Sequence, residues 1–345
     1  MSISKKEPRR SRMRWRWGVA ALTLLGLAAA TALVVAQGAD AVIQALTAAG
    51  WIGVLMVAAA RLPALAVGAV GWRLLVPRRG RCGWGHFLWF AWVREAVNGL
   101  LPVARIGGEI AATRLMMRAG MRGRWAAASL VVETTLSVFA LLAFIFLGLA
   151  LFAGRVGGQD GLTGRLLIGA LLMLPLVAGL YLFQHFGAFG LIARAAKLFL
   201  GQDRLAALTR QTGRLDRAIA ALYKDPRRLA ACAAWEFLAW CLGAFEIVVA
   251  SHLVGHPLSW TDALILEAMI QAASSAAFFI PAALGAQEGA FLLFGGLLGL
   301  SAPTALAIAL LRRGRDLVLY LPALLVWQWV EGQNGLFRLY SKRRH

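Results

Sequence analysis

The sequence predicts an all-α polytopic membrane protein, with about six transmembrane helices and two re-entrant hairpins in an inverted repeat. Three observations predict it. Apolar residues fill 60% of the 345 positions and charged residues only 15%, with a mean hydropathy of +0.69. Soluble chains carry about 25% charged residues. Several apolar runs reach the roughly 20 residues that a helix needs to cross hydrocarbon. One short pattern also occurs twice. Pro102-Val103-Ala104-Arg105-Ile106-Gly107-Gly108-Glu109 and Pro281-Ala282-Ala283-Leu284-Gly285-Ala286-Gln287-Glu288 both run from Pro through six residues to Glu. The offset of 179 continues downstream, mapping Gly120 onto Gly299, Ala126 onto Ala305 and Ala128 onto Ala307. Breaks at matching places in two apolar halves are a common mark of transporters built from related repeats.

The net charge of +20 resembles that of a nucleic-acid binder, but the basic residues fall in blocks beside apolar segments. Such blocks mark the cytoplasmic side of a membrane protein, so no nucleic-acid partner is expected. The first block, in a cytoplasmic N-terminus 1–16, runs from Lys5 to Arg16. The apolar run Val19–Ala36 is long for a signal peptide and reads as an uncleaved first helix, about 17–36. The stretch 37–50 has no Lys or Arg and reads as an outer loop. A second helix, about 51–76, ends at the basic loop Pro77-Arg78-Arg79-Gly80-Arg81.

The segment 84–118 is apolar at first but has basic residues on both flanks. A full crossing would break the positive-inside pattern, so a re-entrant hairpin from the cytoplasm is expected. Helices at about 125–152 and 166–186 complete a first membrane half, 17–186. The region 187–228 is the longest polar stretch, with Arg and Lys interleaved with apolar residues at helical spacing. It reads as a cytoplasmic linker of amphipathic helices on the anionic leaflet, or as a solvated basic linker. The second half, 229–335, begins with a helix at 229–254. A hairpin at 262–300 follows, entering from the outer side, and the last apolar stretch is 303–331. A basic cytoplasmic tail, 336–345, ends the chain.

Carboxylates at membrane depth are costly and usually functional. Glu109 and Glu288 lead the candidates, because the repeat puts one in each half. Pro102, Gly107 and Gly108 in one half, and Pro281, Gly285 and Gln287 in the other, break the helix or let backbone approach closely. Glu95 and Asn98 are one turn apart and share a face. Together these residues would line a substrate pathway, with the hairpin tips meeting near the midplane.

A second group is Glu133, Arg312, Arg313, Arg315 and Asp316. By the repeat, Arg312 corresponds to Glu133, each about nine residues into a helix and so about 13 Å deep. A buried Arg there must be paired or hydrated, and Glu133 with Arg312 or Arg313 is the expected cross-repeat pair. The alternatives are a cytoplasmic loop at 312–316, or charges that only tie the halves together. Arg61 is expected to pair for structure, and Glu236 to reach headgroups from the inner end of its helix.

No P-loop, metal spacing or triad context is apparent, so neither cofactor nor metal is expected, and no enzymatic activity. Cys82, Cys232 and Cys241 read as packing residues.

Arg94-Glu95-Ala96-Val97-Asn98-Gly99-Leu100-Leu101-Pro102 followed by Gly107-Gly108-Glu109 resembles the transmembrane region of bacterial lysylphosphatidylglycerol synthases and their stand-alone flippase-like relatives. Phe279-Ile280-Pro281, Gly285-Ala286-Gln287-Glu288-Gly289 and Arg312-Arg313-Gly314-Arg315-Asp316 are similar to a second stretch of that family. The resemblance covers most of the chain. It implies a lipid transporter in the bacterial inner membrane with both termini cytoplasmic. Trp92-Val93-Arg94-Glu95 and the Gly-Ala-Gln-Glu-Gly form look like the members associated with hopanoid biosynthesis. They imply hopanoid movement toward the outer membrane, with membrane lipids (hopanoid or anionic phospholipid) and lipid-biosynthesis enzymes as partners. The full synthases add a cytoplasmic aminoacyl-transfer domain. This chain ends at His345 after its last apolar segment, so transferase activity is not expected. A phospholipid or polyprenyl-linked substrate, or a non-transporting scaffold, are the alternatives.

Overall fold

The computed structural model describes residues 39–76, 82–101, 107–156, 164, 202–277, 283 and 285–342. The expected helices at 17–36 and 166–186, and both motif prolines, Pro102 and Pro281, lie outside them. Among the described residues the chain is all-α. The helices are α1 (Ala39–Leu75), α2 (Trp84–Leu100), α3 (Gly107–Arg118), α4 (Gly123–Val156), α5 (Gln202–Tyr223), α6 (Pro226–Leu253), α7 (Trp260–Ala276), α8 (Ala286–Leu297) and α9 (Ala302–Lys342). Among the described residues three helical stretches are long and apolar enough to cross a membrane: Ala49–Leu75, Gly123–Arg155 and Pro226–Leu253.

The offset of 179 reappears in the helix boundaries. It carries α3 onto α8 end for end, and the first residue of α4 onto that of α9. The turns between them also match. Met121 N–H donates to the Met116 carbonyl, and Leu300 N–H donates to the Gly295 carbonyl. Gly120 and Gly299 close these turns at φ +91° and +89°. A left-handed residue after a helix lets the chain satisfy its last carbonyls, and glycine does so without a Cβ penalty. Helix α2 ends at Leu100 and its counterpart α7 at Ala276, so the first arms are the less regular part of the repeat.

Helices α1 and α6 run antiparallel along the contact between halves. Gly53, just past the Gly50 kink in α1, lies against Leu253 at the end of α6, and Gly71 near the end of α1 lies against Cys232 and Trp235. Each long helix then crosses from its own half into the other. Helix α4 packs on α6 and α7, and α9 packs on α1 and α2. The far end of α4, with Phe144, Leu149 and Phe152, joins the core of α6–α8. The far end of α9, with Leu319, Tyr320 and Ala323, joins the core of α1–α3. The interdigitation explains why one contiguous bundle forms from two short halves, each too thin to bury its own apolar faces. Leu317, Leu321, Leu325 and Trp329 lie four apart along α9 and are exposed. An apolar stripe of that kind suits contact with lipid.

Several boundaries differ from the sequence expectation. The stretch 39–49 is helical, not a loop, because no breaker interrupts it before Gly50, at φ +59° and ψ −171°. Helix α6 begins at Pro226, inside the expected linker. Asp225 caps it by accepting from Arg228 N–H, and Pro226 suits a first turn. The amphipathic helix expected in the linker is present as α5. Buried Ala218 and Ile219 hold it in one cluster with Leu75, Ala128, Val132 and Cys232. Helix α9 runs without a break through Arg312–Asp316 and through most of the expected tail, to Lys342.

Candidate functional site

In the first half, the hairpin α2–α3 is held to α4 by one ion pair. Arg94 on α2 donates to both carboxylate oxygens of Glu133 on α4, Nη1 to Oε2 at 2.6 Å and Nη2 to Oε1 at 2.9 Å. The fork geometry suits a buried pair, because two parallel bonds offset more of the desolvation cost than one. The Trp72 ring lies 4.9 Å from the guanidinium carbon, and its Nε1–H donates to Ser129 Oγ at 3.3 Å. Glu95 stands 3.9 Å from Arg94 Nε. Gly108 N–H donates to Asn98 Oδ1 at 2.9 Å, and Asn98 Nδ2 donates to Glu109 Oε1 at 3.4 Å. A Cβ at Gly108 would collide with the Arg94 carbonyl oxygen and come within 2.6 Å of Asn98. Glycine is therefore required for α3 to lie this close to α2.

In the second half the corresponding helices are held by more arginine. Arg312 on α9 donates from Nε to Glu246 Oε1 at 2.8 Å and from Nη2 to Glu267 Oε1 at 3.3 Å. Its Nη1 stands 2.9 Å from Glu267 Oε2, but off the line of a hydrogen bond. Arg315 Nη2 donates to the same Glu246 Oε1 at 2.6 Å, and its Nη1 lies 3.0 Å from Asp316 and 3.4 Å from the Tyr320 hydroxyl. Gln271 Nε2 donates to Glu267 at 2.7 Å. Arg313 Nε donates to Glu288 Oε1 at 2.9 Å, while Gly285 N–H donates to Glu288 Oε2 at 2.8 Å. Glu288 thus caps the N-terminus of α8 and anchors α8 to α9.

The expected pair between Glu133 and Arg312 or Arg313 does not form. Each position pairs inside its own half, and the polarity is reversed. In the first half α2 supplies the cation and α4 the anion; in the second half α7 supplies the anion and α9 the cation. The loop alternative at 312–316 also fails, because Arg312 and Arg315 are 6% and 4% exposed within a continuous helix. Glu236 is not at a headgroup. It is 5% exposed, and its Oε1 faces Gly68 and Gly71 of α1 with no hydrogen-bond partner. Arg61 reaches across to α6, where its Nη1 fills the space beside Gly243. It interacts electrostatically with Tyr320, Arg315, Glu246 and Glu95, and so lies between the two charged groups.

The sequence-predicted pathway residues thus fall into two sets. Glu95, Asn98, Gly107, Gly108 and Glu109 meet in the α2–α3 angle. Gly285, Gln287 and Glu288 share the first turn of α8, where half-buried Gln287 has no hydrogen-bond partner among the described residues. The expected meeting of the hairpins is not seen among the described residues: α3 packs on α2 and α4, and α8 on α7 and α9. Glu246 and Glu267, both fully buried, were missed as site residues. Their signal was present in α9, since three arginines at 312–315 within apolar sequence require buried anions nearby.

A cavity of about 630 Å³ opens elsewhere, between the α3–α4 turn and α5, lined by Met117, Arg122, Gly123, Arg124, Ala127, Arg214 and Leu215. Among the described residues no three His, Cys, Asp or Glu side chains are grouped to hold a metal ion.

No curated protein and no solved structure matches the chain. The sequence profile of one family, described as "Lysylphosphatidylglycerol synthase TM region", matches residues 19–323. That span takes in both hairpins and both charged groups. The chain belongs to the lysylphosphatidylglycerol synthase TM region family, and is a membrane-embedded protein related to lipid metabolism or transport.

Proposed function

We propose that this protein is a flippase-like lipid transporter of the bacterial inner membrane, moving hopanoid or a related lipid toward the outer membrane. The observation that supports this most is the pair of matched helix–turn–helix units, each with a carboxylate, Glu109 or Glu288, at the start of its second arm. Charged groups inside membrane-depth helices give a lipid headgroup a polar route while its tail remains in hydrocarbon. The antiparallel arrangement of α1 and α6 supports a mechanism in which one half rocks against the other around the shared charges. Basic blocks beside the apolar segments favour a cytoplasmic location for both termini. In this reading the protein carries out no covalent chemistry, and its partners are membrane lipids and the enzymes that make them.

The test is lipid mass spectrometry on separated inner and outer membranes, with and without the gene, and with Glu109→Gln or Glu288→Gln in its place. Hopanoid retained in the inner membrane without the gene, and with either variant, is the expected outcome. A shift in a phospholipid or polyprenoid instead would keep the transporter and replace its cargo. Unchanged lipids in every strain would leave a scaffold for lipid-biosynthesis enzymes as the better reading.

A further inference from the structure

Buried charge is unequally divided between the halves. In the second half Arg312, Arg313 and Arg315 face Glu246, Glu267, Glu288 and Asp316, and Arg61 adds its charge beside Glu246. Around the α2–α4 contact, Arg94 stands among Glu95, Glu109 and Glu133 of the first half and Glu236 of α6, with Arg61 also acting on Glu95. Glu133 takes both faces of its guanidinium fork.

Two carboxyl groups are left over. Glu236 makes no ion pair among the described residues, although it is 5% exposed. Helix α1 turns Gly68 and Gly71 toward it, and α6 offers Cys232 one turn away. Helix α4 presents Glu133 and the Ser137 hydroxyl, and α2 presents Arg94 and Glu95. The arginines that α9 brings to α6, Arg312 and Arg315, bind Glu246, ten residues further along, and Glu267 on α7 pairs with Arg312. Glu109 is the second. Its Oε2 is buried without a partner, and its surroundings are Arg94, Glu95 and Asn98 on α2 and Glu133 on α4. Burial of a carboxyl oxygen without a cation of its own favours the protonated form. A bare metal ion is a poor substitute here, because no group of three suitable ligands is present among the described residues.

We propose that the charged group around Arg94 is a proton-binding site, with Glu109 on α3 and Glu236 on α6 as carboxylic acids beside the Arg94–Glu133 pair. Loss of a proton from either creates a carboxylate that competes with Glu133 for Arg94. Because Arg94 ties the hairpin to α4, the hairpin's attachment depends on the protonation of its neighbours. The group around Arg312 has no such dependence, since Glu246, Glu267, Glu288 and Asp316 each already face an arginine. Protons bound here are the coupling ions for lipid movement; this last step rests on the transport reading above, whereas the proton site does not.

Infrared spectroscopy on the full chain in liposomes, titrated in pH, tests the site without any lipid being moved. A protonated carboxylic acid C=O band is expected at neutral pH. It weakens in Glu236→Gln and in Glu109→Gln, disappears in the double variant, and is unchanged in Glu288→Gln. Absence of that band from the unaltered protein overturns the site, and this arm does not depend on any variant folding. A band that persists in the double variant also overturns it. A pH gradient imposed across the same liposomes, loaded with a fluorescent hopanoid, then tests coupling. Movement that responds to the gradient in the unaltered protein, and loses that response in Glu236→Gln, supports coupling. Movement indifferent to the gradient overturns coupling. No movement at all, with the band intact, overturns the transport reading and leaves the proton site standing.

Discussion

The two halves share a backbone plan and differ in charge. Their helices α3 and α8 begin and end at equivalent positions, and their glycine turns have the same hand. Yet the stretch Glu133-Thr134-Thr135-Leu136-Ser137 on α4 is replaced by Arg312-Arg313-Gly314-Arg315-Asp316 on α9. Backbone geometry survives such a change because turns and helix lengths depend on local residues such as Gly120 and Gly299. The ion pairs do not survive it unaltered. With arginine on α9, the anions must come from α6 and α7; with glutamate on α4, the cation must come from α2. Equivalent positions can therefore carry opposite charge and still lock a hairpin arm to the long helix beside it.

The largest expected effect tests this difference directly. Arg312→Ala leaves Glu267 in the interior without its arginine and Glu246 with Arg315 alone of its two bonded arginines, and unpairing a buried group of this kind costs about 3–5 kcal/mol. Thermal unfolding of the protein in detergent or bilayer should show a large loss, or no folded protein at all. Polarity reversal sharpens the comparison. Arg94→Glu with Glu133→Arg should recover part of what either single change loses, because the new arginine still faces a carboxylate. Arg312→Glu with Glu267→Arg should recover less, because Glu246 opposes a carboxylate at 312. Equal recovery in the two halves would break the proposed asymmetry; a double-mutant cycle on unfolding midpoints measures it.

Smaller effects probe the shared backbone. Gly108→Ala forces a Cβ into the Arg94 carbonyl and should cost about 1–3 kcal/mol, the range for overpacking. The matching position in the other hairpin is Gln287, half-buried, and Gln287→Ala should be nearly neutral in the same assay. Gly120→Ala and Gly299→Ala should each cost about 1–2 kcal/mol, and by similar amounts, since both hold left-handed backbone with open space around them. Unequal losses there would show that the halves differ in backbone as well as in charge. The smallest effect is expected for Arg155→Gln. Its pair with Asp262 spans 3.4 Å but the arginine is 65% exposed, and such pairs contribute about 0–1 kcal/mol.

Much of the architecture was legible before any coordinates. The bilayer requires long apolar helices, so hydropathy alone marked α1, α4 and α6. The repeated Pro-to-Glu pattern located α3 and α8, because glycine turns and helix starts leave local signatures. Less was legible where local signals compete. Residues 39–49 lack basic residues and so looked like a loop, yet they contain no helix breaker before Gly50. Arg312–Asp316 read as buried in a helix with a cytoplasmic loop as the alternative, and the helix continues because its arginines find buried partners. Those partners are remote in sequence: Glu246 is 66 residues from Arg312, and Glu133 is 39 from Arg94.

The sequence by itself determined the membrane class, the offset between halves, the turn glycines and the identity of the buried charges. Each depends on composition or on residues within a few positions of one another. Only the tertiary structure decided which charge meets which. It paired Glu133 with Arg94 and not with Arg312, sent the ends of α4 and α9 into each other's halves, and left Glu236 against two glycines without an ion pair among the described residues. Ion pairing depends on distances of about 3–4 Å between side chains on different helices. No periodicity along one helix encodes those distances; they follow from how α1 and α6 cross and from which faces the long helices bring to that crossing.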